Sequence, residues 1–216
     1  MDITVVCVDD VDPLEADRVV RLSADKLKAR KSLLLTSHVR PSNAKVEWTK
    51  IKPIRDVYSY SCFILEKLKD YVDTSHVLVV QKDGYVINAK AWTDEFLKYD
   101  YIGAPWYGYS TLGVAEGAVG NGGFSLRSKD FLEAGARVLK EARIKKLPVL
   151  EKTQGEDNFL CVQNYNKMVN LGIKFAPTYL ANKFSTEFGY NNYVPYLDQL
   201  GFHGHLSRET VPCDLL

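Results

Sequence analysis

His76-Val77-Leu78-Val79-Val80-Gln81-Lys82-Asp83-Gly84-Tyr85-Val86-Ile87-Asn88 holds a continuous apolar run, Val77 to Val80, that stops abruptly at Gln81, Lys82, Asp83 and Gly84. Four aliphatic residues without alternation read as a strand buried on both faces, the habit of a central strand in an α/β sheet. Asp83 then sits at a strand's carboxyl end. Open α/β sheets hold their ligands in the crevice outside those ends, and Gly84 permits a sharp turn behind the carboxylate. An Asp-Gly pair is also an ordinary turn between two strands, so the neighbouring segments have to decide between the two readings.

Toward the amino terminus the pattern repeats. Ile3 to Val8 is a second pure apolar run, closed by Asp9 and Asp10. Asp12-Pro13 then starts a helix, with proline tolerated in its first turn, and Leu14, Val19, Leu22 and Leu27 carry an apolar face to about Lys31. Leu33 to Thr36 is the next short strand. Strand, helix, strand is the order of a parallel sheet. Lys45 to Pro53 reads as an extended edge, and Val57 to Val72 as a helix with Tyr60, Phe63, Ile64, Leu68 and Tyr71 on one face. The first eighty or so residues thus read as a nucleotide-binding α/β half.

Toward the carboxyl terminus, Ala91 to Leu97 reads as a short helix and Tyr101 to Trp106 as a strand running into the glycine-rich, open stretch Tyr107 to Ala118. Val119-Gly120-Asn121-Gly122-Gly123-Phe124-Ser125-Leu126-Arg127 follows. Glycines at 120, 122 and 123 mean that backbone approaches something closely or takes positive φ. Ser128 caps a helix to Lys146. Gly155-Glu156-Asp157 opens another, Asn158 to Leu171, closed by Gly172. Ile173 to Ala176 is a last strand, and the tail, with Gly201-Phe202-His203-Gly204-His205, reads as loop-rich. With no internal repeat and no linker, one domain over 1–216 is expected.

Composition bounds the function. At 46% hydrophobic and 25% charged residues the chain is globular in type, and 28 basic against 27 acidic residues leave a net charge of +1 that names no partner. Four singly placed cysteines suit a reduced, cytoplasmic compartment. No segment approaches the ~18 apolar residues needed to span a bilayer, so no membrane partner is expected.

Taken together, Gln-Lys-Asp-Gly, Tyr-Asp-Tyr-Ile-Gly-Ala-Pro-Trp, Gly-Asn-Gly-Gly-Phe-Ser-Leu-Arg, Gly-Glu-Asp and the late Phe-His-Gly resemble a family of uncharacterised proteins related to the GT-A glycosyltransferases, over roughly Val57 to His205. The resemblance implies a GT-A-like, Rossmann-like α/β fold with a mostly parallel sheet flanked by helices. Residues 1–88 would form the nucleotide-sugar-binding half and 89–216 the acceptor and catalytic half. It implies metal-assisted transfer of a sugar from a nucleotide-sugar donor to a hydroxyl.

Residue by residue, the donor would meet Asp9, Asp10, Gln81, Lys82, Asp83 and Gly84. The sugar or acceptor pocket would be lined by Trp106, Gly120, Asn121, Gly122, Gly123 and Phe124. The usual Asp-X-Asp is Gln81-Lys82-Asp83 here, so only the second carboxylate is present. Departure of a diphosphate builds negative charge that a divalent cation, Mn2+ or Mg2+, neutralises through oxygen ligands. Asp83 is the expected ligand and His203 completes the site, ahead of His205. The acceptor hydroxyl needs a general base, for which Glu156 and Asp157 compete and Asp157, the second acid of the pair, is favoured. Either acid could instead serve only the helix terminus.

Two acceptors suit such an enzyme: a glycan or small glycoside, or a hydroxymethylated base in phage DNA, which would have to be flipped into the pocket. Arg40, Lys45, Lys50, Lys52 and Arg55 form one basic interval, and Arg143, Lys145 and Lys146 another. The competing class is a sugar- or nucleotide-binding module without catalysis, favoured by the missing first aspartate and opposed by the intact Gly-Glu-Asp. A nucleotidyltransferase would want a basic, glycine-rich loop after the first strand, where this chain is acidic.

Overall fold

The computed structural model describes residues 1–106, 118–147, 150, 155–187 and 196–216; of the stretch read above as open, Tyr107 to Ala118, all but Ala118 lies outside the described residues. The strands are β1 (Ile3–Val8), β2 (Lys31–Thr36), β3 (Glu47–Lys50), β4 (His76–Val79), β5 (Tyr101–Ile102), β6 (Ala104–Trp106), β7 (Ala118–Gly120), β8 (Ser125–Ser128), β9 (Ser185–Glu187) and β10 (Gly201–His203). The helices are α1 (Pro13–Leu27), α2 (Val57–Glu66), α3 (Lys129–Ile144), α4 (Glu156–Asn158), α5 (Tyr165–Asn170), α6 (Thr178–Phe184) and α7 (His205–Thr210).

Six strands form the main sheet in the order β3-β2-β1-β4-β8-β5. Parallel pairing joins β3 to β2, β2 to β1 and β1 to β4, and β8 runs antiparallel to both β4 and β5. The expected mostly parallel sheet flanked by helices is what forms. Every residue of β1 and β4 is buried, which explains their unbroken apolar runs. Each fully buried aliphatic side chain there contributes ~1.5–3 kcal/mol. One apolar core runs from Ile3 to Val211 and so joins both halves of the sequence.

The direction of the crossovers sets up a site. From β1 the chain passes through α1 to β2 and β3 on one side, then returns through α2 to β4 on the other side of β1. Right-handed crossovers that travel in opposite directions place their helices on opposite faces. The order of strands therefore reverses between β1 and β4, and a crevice opens outside their carboxyl ends.

Several boundaries differ from the sequence reading, each for a local reason. α1 stops at Leu27 because Lys28 turns left-handed (φ 51) and the Arg30 N–H bonds the Met1 carbonyl, so Lys31 already begins β2. The helix expected to Val72 ends at Glu66, with Leu68–Tyr71 as a separate 3-10 turn. The short helix after Ala91 is two 3-10 turns, Ala89–Ala91 and Asp94–Lys98. Tyr101 to Trp106 divides at Gly103 between two sheets; a side chain at Gly103 would collide with the Gly120 carbonyl oxygen.

Farther on, the helix expected from Asn158 to Leu171 is broken. A π-helical turn, Phe159–Gln163, ends where both the backbone N–H and the side-chain amide of Asn164 donate to the Phe159 carbonyl, and α5 restarts from there. Gly172 does close it, at φ +90. The strand expected over Ile173 to Ala176 is reduced to one bridge, Tyr101 to Phe175. The supposedly loop-rich tail contains α6, β9, β10 and α7, with Leu180, Ala181 and Phe184 buried. No helix among the described residues is long and apolar enough to cross a membrane.

Candidate active site at the carboxyl ends of β1 and β4

Four segments meet at this crevice. Residues 9–12 leave β1, residues 80–84 leave β4, the turn 121–124 enters β8 at the same end because β8 is antiparallel, and β10 lies alongside through a bridge from Val86 to Gly201.

After β1, Asp9 Oδ1 accepts from the Val11 and Asp12 N–H groups, both at 2.7 Å. Asp10 accepts through Oδ1 from the Thr36 hydroxyl and the Ser37 N–H, and through Oδ2 from the Ile54 N–H. Burial raises its pKa, but these hydrogen bonds outweigh burial and hold the carboxyl below its ordinary value. Asp10 thus laces the end of β2 and the segment after β3 to the end of β1.

After β4, Gln81 and Gly84 exchange backbone hydrogen bonds at 2.8 and 2.9 Å, which puts Lys82 and Asp83 at the tip of a tight turn. The Asp83 carbonyl accepts from the Gly204 N–H at 2.8 Å, and this ties β10 to the same turn. His203 is directly opposite Glu187 in the β9–β10 register. Its Nδ1 donates to Glu187 Oε1 at 3.1 Å, while Nε2 lies 3.2 Å from Gln81 Oε1 and 4.0 Å from Asp83 Oδ1. Burial lowers the imidazole pKa, but Glu187, with help from Asp83 and Asp157, brings it above the ordinary value. The other oxygen of Glu187 accepts from the Trp106 indole N–H.

The turn into β8 is set from three sides. Asn121 adopts a left-handed conformation (φ 76), and its Oδ1 accepts from the Gly123 and Phe124 N–H groups. The Gly122 N–H donates to Asp157 Oδ2 at 2.7 Å, and its carbonyl accepts from Arg127 Nη2 at 3.0 Å. Arg127, only 1% exposed, makes a buried ion pair with Glu156 Oε1 at 2.7 Å. Adjacent residues on a helical turn point ~100° apart, so Glu156 faces inward to Arg127 while Asp157 faces the turn. Asp157 is half-buried. Burial, then the neighbouring charge of Glu156, push its carboxyl up to about 6 against the opposing N–H groups of Gly122 and Asn158.

The crevice therefore gathers Gln81, Asp83, Gly84, Trp106, Gly122, Gly123, Asp157 and His203. Other expected site residues stand elsewhere. Phe124 is fully buried and stacks on Phe184 at 5.1 Å between centroids, so it belongs to the core and does not line a pocket. Asn121 is also buried and shapes the turn. Glu156 is committed to Arg127 and is no candidate base. His205 is exposed at the start of α7. The glycines are required by protein groups: a side chain at 120 would run into the Trp106 ring, one at 122 into the Glu156 carboxylate, and one at 123 into the His203 Nε2.

Glu187 and Tyr60, whose hydroxyl accepts from the Gln81 amide nitrogen at 3.0 Å, are members that the sequence did not single out. Glu187 lies in Ser-Thr-Glu-Phe-Gly-Tyr, which carries no spacing that marks it. Two surface clefts, sharing Asp100, Asp130 and Gly172, open at the other end of β4. They lie at the amino end of that strand, away from the groups just described and from the end where a parallel sheet holds ligand.

The family model described as "Protein of unknown function (DUF5672)" matches residues 43–203. The chain belongs to that family. The matched span includes the turn after β4, the glycine turn, Glu156 and Asp157, Glu187 and His203, so the whole crevice except Asp9 and Asp10 falls within the DUF5672 region. Among curated proteins none matches. Among solved structures, the chain is similar to the apo form of the glycosyltransferase GlyE of Streptococcus pneumoniae TIGR4, at 14% identity and a TM-score of 0.45, over 82% of this chain and 45% of that one. It is similar also to mannose-1-phosphate geranyltransferase of Thermus thermophilus, at 16% identity and a TM-score of 0.30, over 69% of each chain. This DUF5672 chain spans less than half the length of the pneumococcal protein.

Among the described residues no group of three His, Cys, Asp or Glu side chains converges as a metal cage. Asp83 and His203 nevertheless form a pair with the chemistry of a divalent-cation clamp: a hard carboxylate oxygen, and an imidazole whose far nitrogen is held by a carboxylate, the arrangement that orients metal-binding histidines. Gly123 keeps the space beside them open. If this pair holds a cation, Gly123→Ala pushes His203 off its position and weakens Mn2+-dependent nucleotide binding by about tenfold or more while the protein still unfolds cooperatively. Calorimetric titration checks this, and undiminished binding would show that the space is not needed.

Proposed function

We propose that this DUF5672 chain is a glycosyltransferase that moves a sugar from a nucleotide-sugar donor to a hydroxyl acceptor, assisted by a divalent cation, Mn2+ or Mg2+, at Asp83 and His203. The observation that carries the reading is the crevice at the strand-order reversal between β1 and β4, where Asp157, with a pKa of about 6, faces the same glycine turn as Asp83 and His203. The motif resemblance set out above supports it.

The chain's own groups divide the chemistry. Asp157 accepts the proton of the acceptor hydroxyl as that oxygen bonds to the anomeric carbon. The bond from this carbon to the diphosphate breaks, and its electron pair leaves with the nucleoside diphosphate. The Gly122 N–H holds one oxygen of Asp157 and the Asn158 N–H the other, which fixes the base without neutralising it. Glu187 sets the imidazole of His203 by its hydrogen bond to Nδ1. When bound, the cation supplies positive charge against the diphosphate leaving group. One base acting on a direct attack gives inversion at the anomeric carbon.

For the acceptor, Arg143 and Lys145 are each paired with a carboxylate, Glu66 and Glu141, and Arg40 donates to the carbonyls of Ala44 and Val46. The two carboxylates offset charge in the second basic interval and so lessen the field it offers to DNA phosphates. The acceptor proposed is the hydroxyl of a glycan or glycoside.

A thermal-shift panel of nucleotide sugars, each with and without Mn2+, tests the reading. A donor at a hundred times its dissociation constant adds about 2.7 kcal/mol of stability, and that donor should then be consumed when glycosides are added. Stabilisation without turnover would make the chain a binding module; stabilisation by none of the nucleotide sugars would remove the glycosyltransferase reading.

A further inference from the structure

We infer that Arg127 is a positioning residue for Asp157, and that one of its guanidinium nitrogens holds both of the segments that fix the carboxylate. The inference rests on the reading of Asp157 as the general base, and it concerns what keeps that base in place.

The segments that carry Asp157 have little rigidity of their own. Asp157 sits in α4, three residues long and opened by Gly155 without a side-chain cap. Its partner is the N–H of Gly122, in a turn that has a second glycine at 123. Glycine leaves a backbone more freedom than any other residue, so one hydrogen bond between two such segments orders neither of them. A general base acts only within hydrogen-bond reach of the proton it takes. The order has to come from a stiffer part of the fold.

Arg127 supplies it. The residue lies in β8, opposite Val77 of β4 on one side and Tyr101 of β5 on the other, so its backbone is held along both edges. Nη2 donates to the Gly122 carbonyl at 3.0 Å and to Glu156 Oε1 at 2.7 Å. Nε donates to the Ser125 hydroxyl at 3.0 Å, and that hydroxyl donates in turn to the same Gly122 carbonyl. The ring of Tyr101 lies 5.7 Å from the guanidinium carbon. The contacts close into a loop: Arg127 to Glu156, the peptide link to Asp157, Asp157 to the Gly122 N–H, and the Gly122 carbonyl back to Arg127. A side chain at Gly122 would strike Glu156 Oε1 and come within 3.3 Å of Nη2, so the turn rests directly on the ion pair.

Stability alone does not account for such a pair. Taking both charges out of water offsets much of their attraction, and apolar residues of similar volume often serve a fold as well or better. What apolar residues cannot do is hold a carbonyl and a carboxylate in fixed directions, which a guanidinium fork does.

The test uses the full chain carrying Arg127→Met and Glu156→Leu together, which removes the loop of contacts and leaves no buried charge unpaired. Measurements are made at pH 8, where Asp157, with a pKa of about 6, is ionised, so that a change of position is not mistaken for a change of charge. Urea unfolding should show a stability close to that of wild type. The Gly122 amide should nevertheless exchange its hydrogen about tenfold faster or more, because its bond to an ionised carboxylate is loosened; this readout needs no substrate. With the donor and glycoside that the thermal-shift panel selects, kcat should fall ~10²-fold, the cost of a group displaced by about 1 Å, while the donor KM is unchanged. Arg127→Lys, which keeps a charge for Glu156 but lacks the fork, should protect the Gly122 amide less than wild type and more than the double variant.

Unchanged kcat in a folded double variant would overturn the inference, and so would a slower variant whose Gly122 amide keeps its full protection. If the double variant does not fold, Arg127→Lys decides by the same two readouts. A near-normal rate in Asp157→Asn would remove the general-base reading by itself, while Gly122 exchange in the double variant would still report whether Arg127 holds that carboxylate.

Discussion

Glu156→Ala is expected to destabilise the fold by about 3–5 kcal/mol, the cost of leaving a buried charge without its partner. Arg127 is 1% exposed and Glu156 3%, so no water replaces the lost carboxylate. The Arg127 guanidinium would keep the Gly122 carbonyl, the Ser125 hydroxyl and the face of the Tyr101 ring, none of them charged. Since those contacts also hold the glycine turn, the damage should spread into the crevice. Urea unfolding of wild type and variant gives the number directly. A loss under about 1 kcal/mol would show that Arg127 finds solvent or another acceptor. Replacing both residues by apolar ones of similar volume should cost much less than either single change, because no orphaned charge remains.

Asp157→Asn is expected to lower transfer by ~10²- to 10⁴-fold, the usual contribution of a general base, with donor binding intact. Its pKa of about 6 fixes the pH behaviour. The wild-type rate should fall about tenfold per unit below about pH 6 as the base takes up a proton, and the variant should lose that limb. Stability moves the other way. A folded-state pKa raised above the unfolded value gives stability that is fully present below the unfolded value and is lost as pH rises through the folded one. At 1.36 kcal/mol per unit, the ionised carboxylate costs the native state about 3 kcal/mol at pH 8. Asp157→Asn should therefore melt no lower than wild type at pH 8, and higher if its amide keeps the Gly122 hydrogen bond. A variant that loses activity only by unfolding, or one that transfers at near-normal rate, would take the role of base away from Asp157.

The strands that carry the crevice were legible because burial on both faces writes an unbroken apolar run. Ile3 to Val8 and Val77 to Val80 could hardly be other elements at that length, and the carboxylates that close them mark the ends of the strands. The antiparallel β8 between β4 and β5 was not legible, since pairing direction leaves no local trace. Likewise the three-residue β9 and β10 are too short to show a period, and the π turn at Phe159–Gln163 follows from one asparagine acting on a carbonyl five residues back. The glycines at 120, 122 and 123 announced close approach, but the sequence could not say to what: an indole, a carboxylate and an imidazole. The pair Glu156-Asp157 announced two roles. Only the position of Arg127 beneath the turn showed which residue was withdrawn from solvent.

The position of β4 bears also on how quickly the chain can reach its native state. Ile3 pairs with His76, and Val79 with Ser125, so the two edges of the crevice are joined only by contacts between distant parts of the chain. Closing such long loops costs entropy before any strand pairing offsets it, and sheets of this kind form in milliseconds to seconds rather than microseconds. The β1-α1-β2 unit can assemble early from nearby sequence, whereas the crevice has no existence until β4 has inserted beside β1 and β8 has followed. In a refolding experiment, nucleotide binding should return with the slowest phase, after most of the helical signal has already recovered.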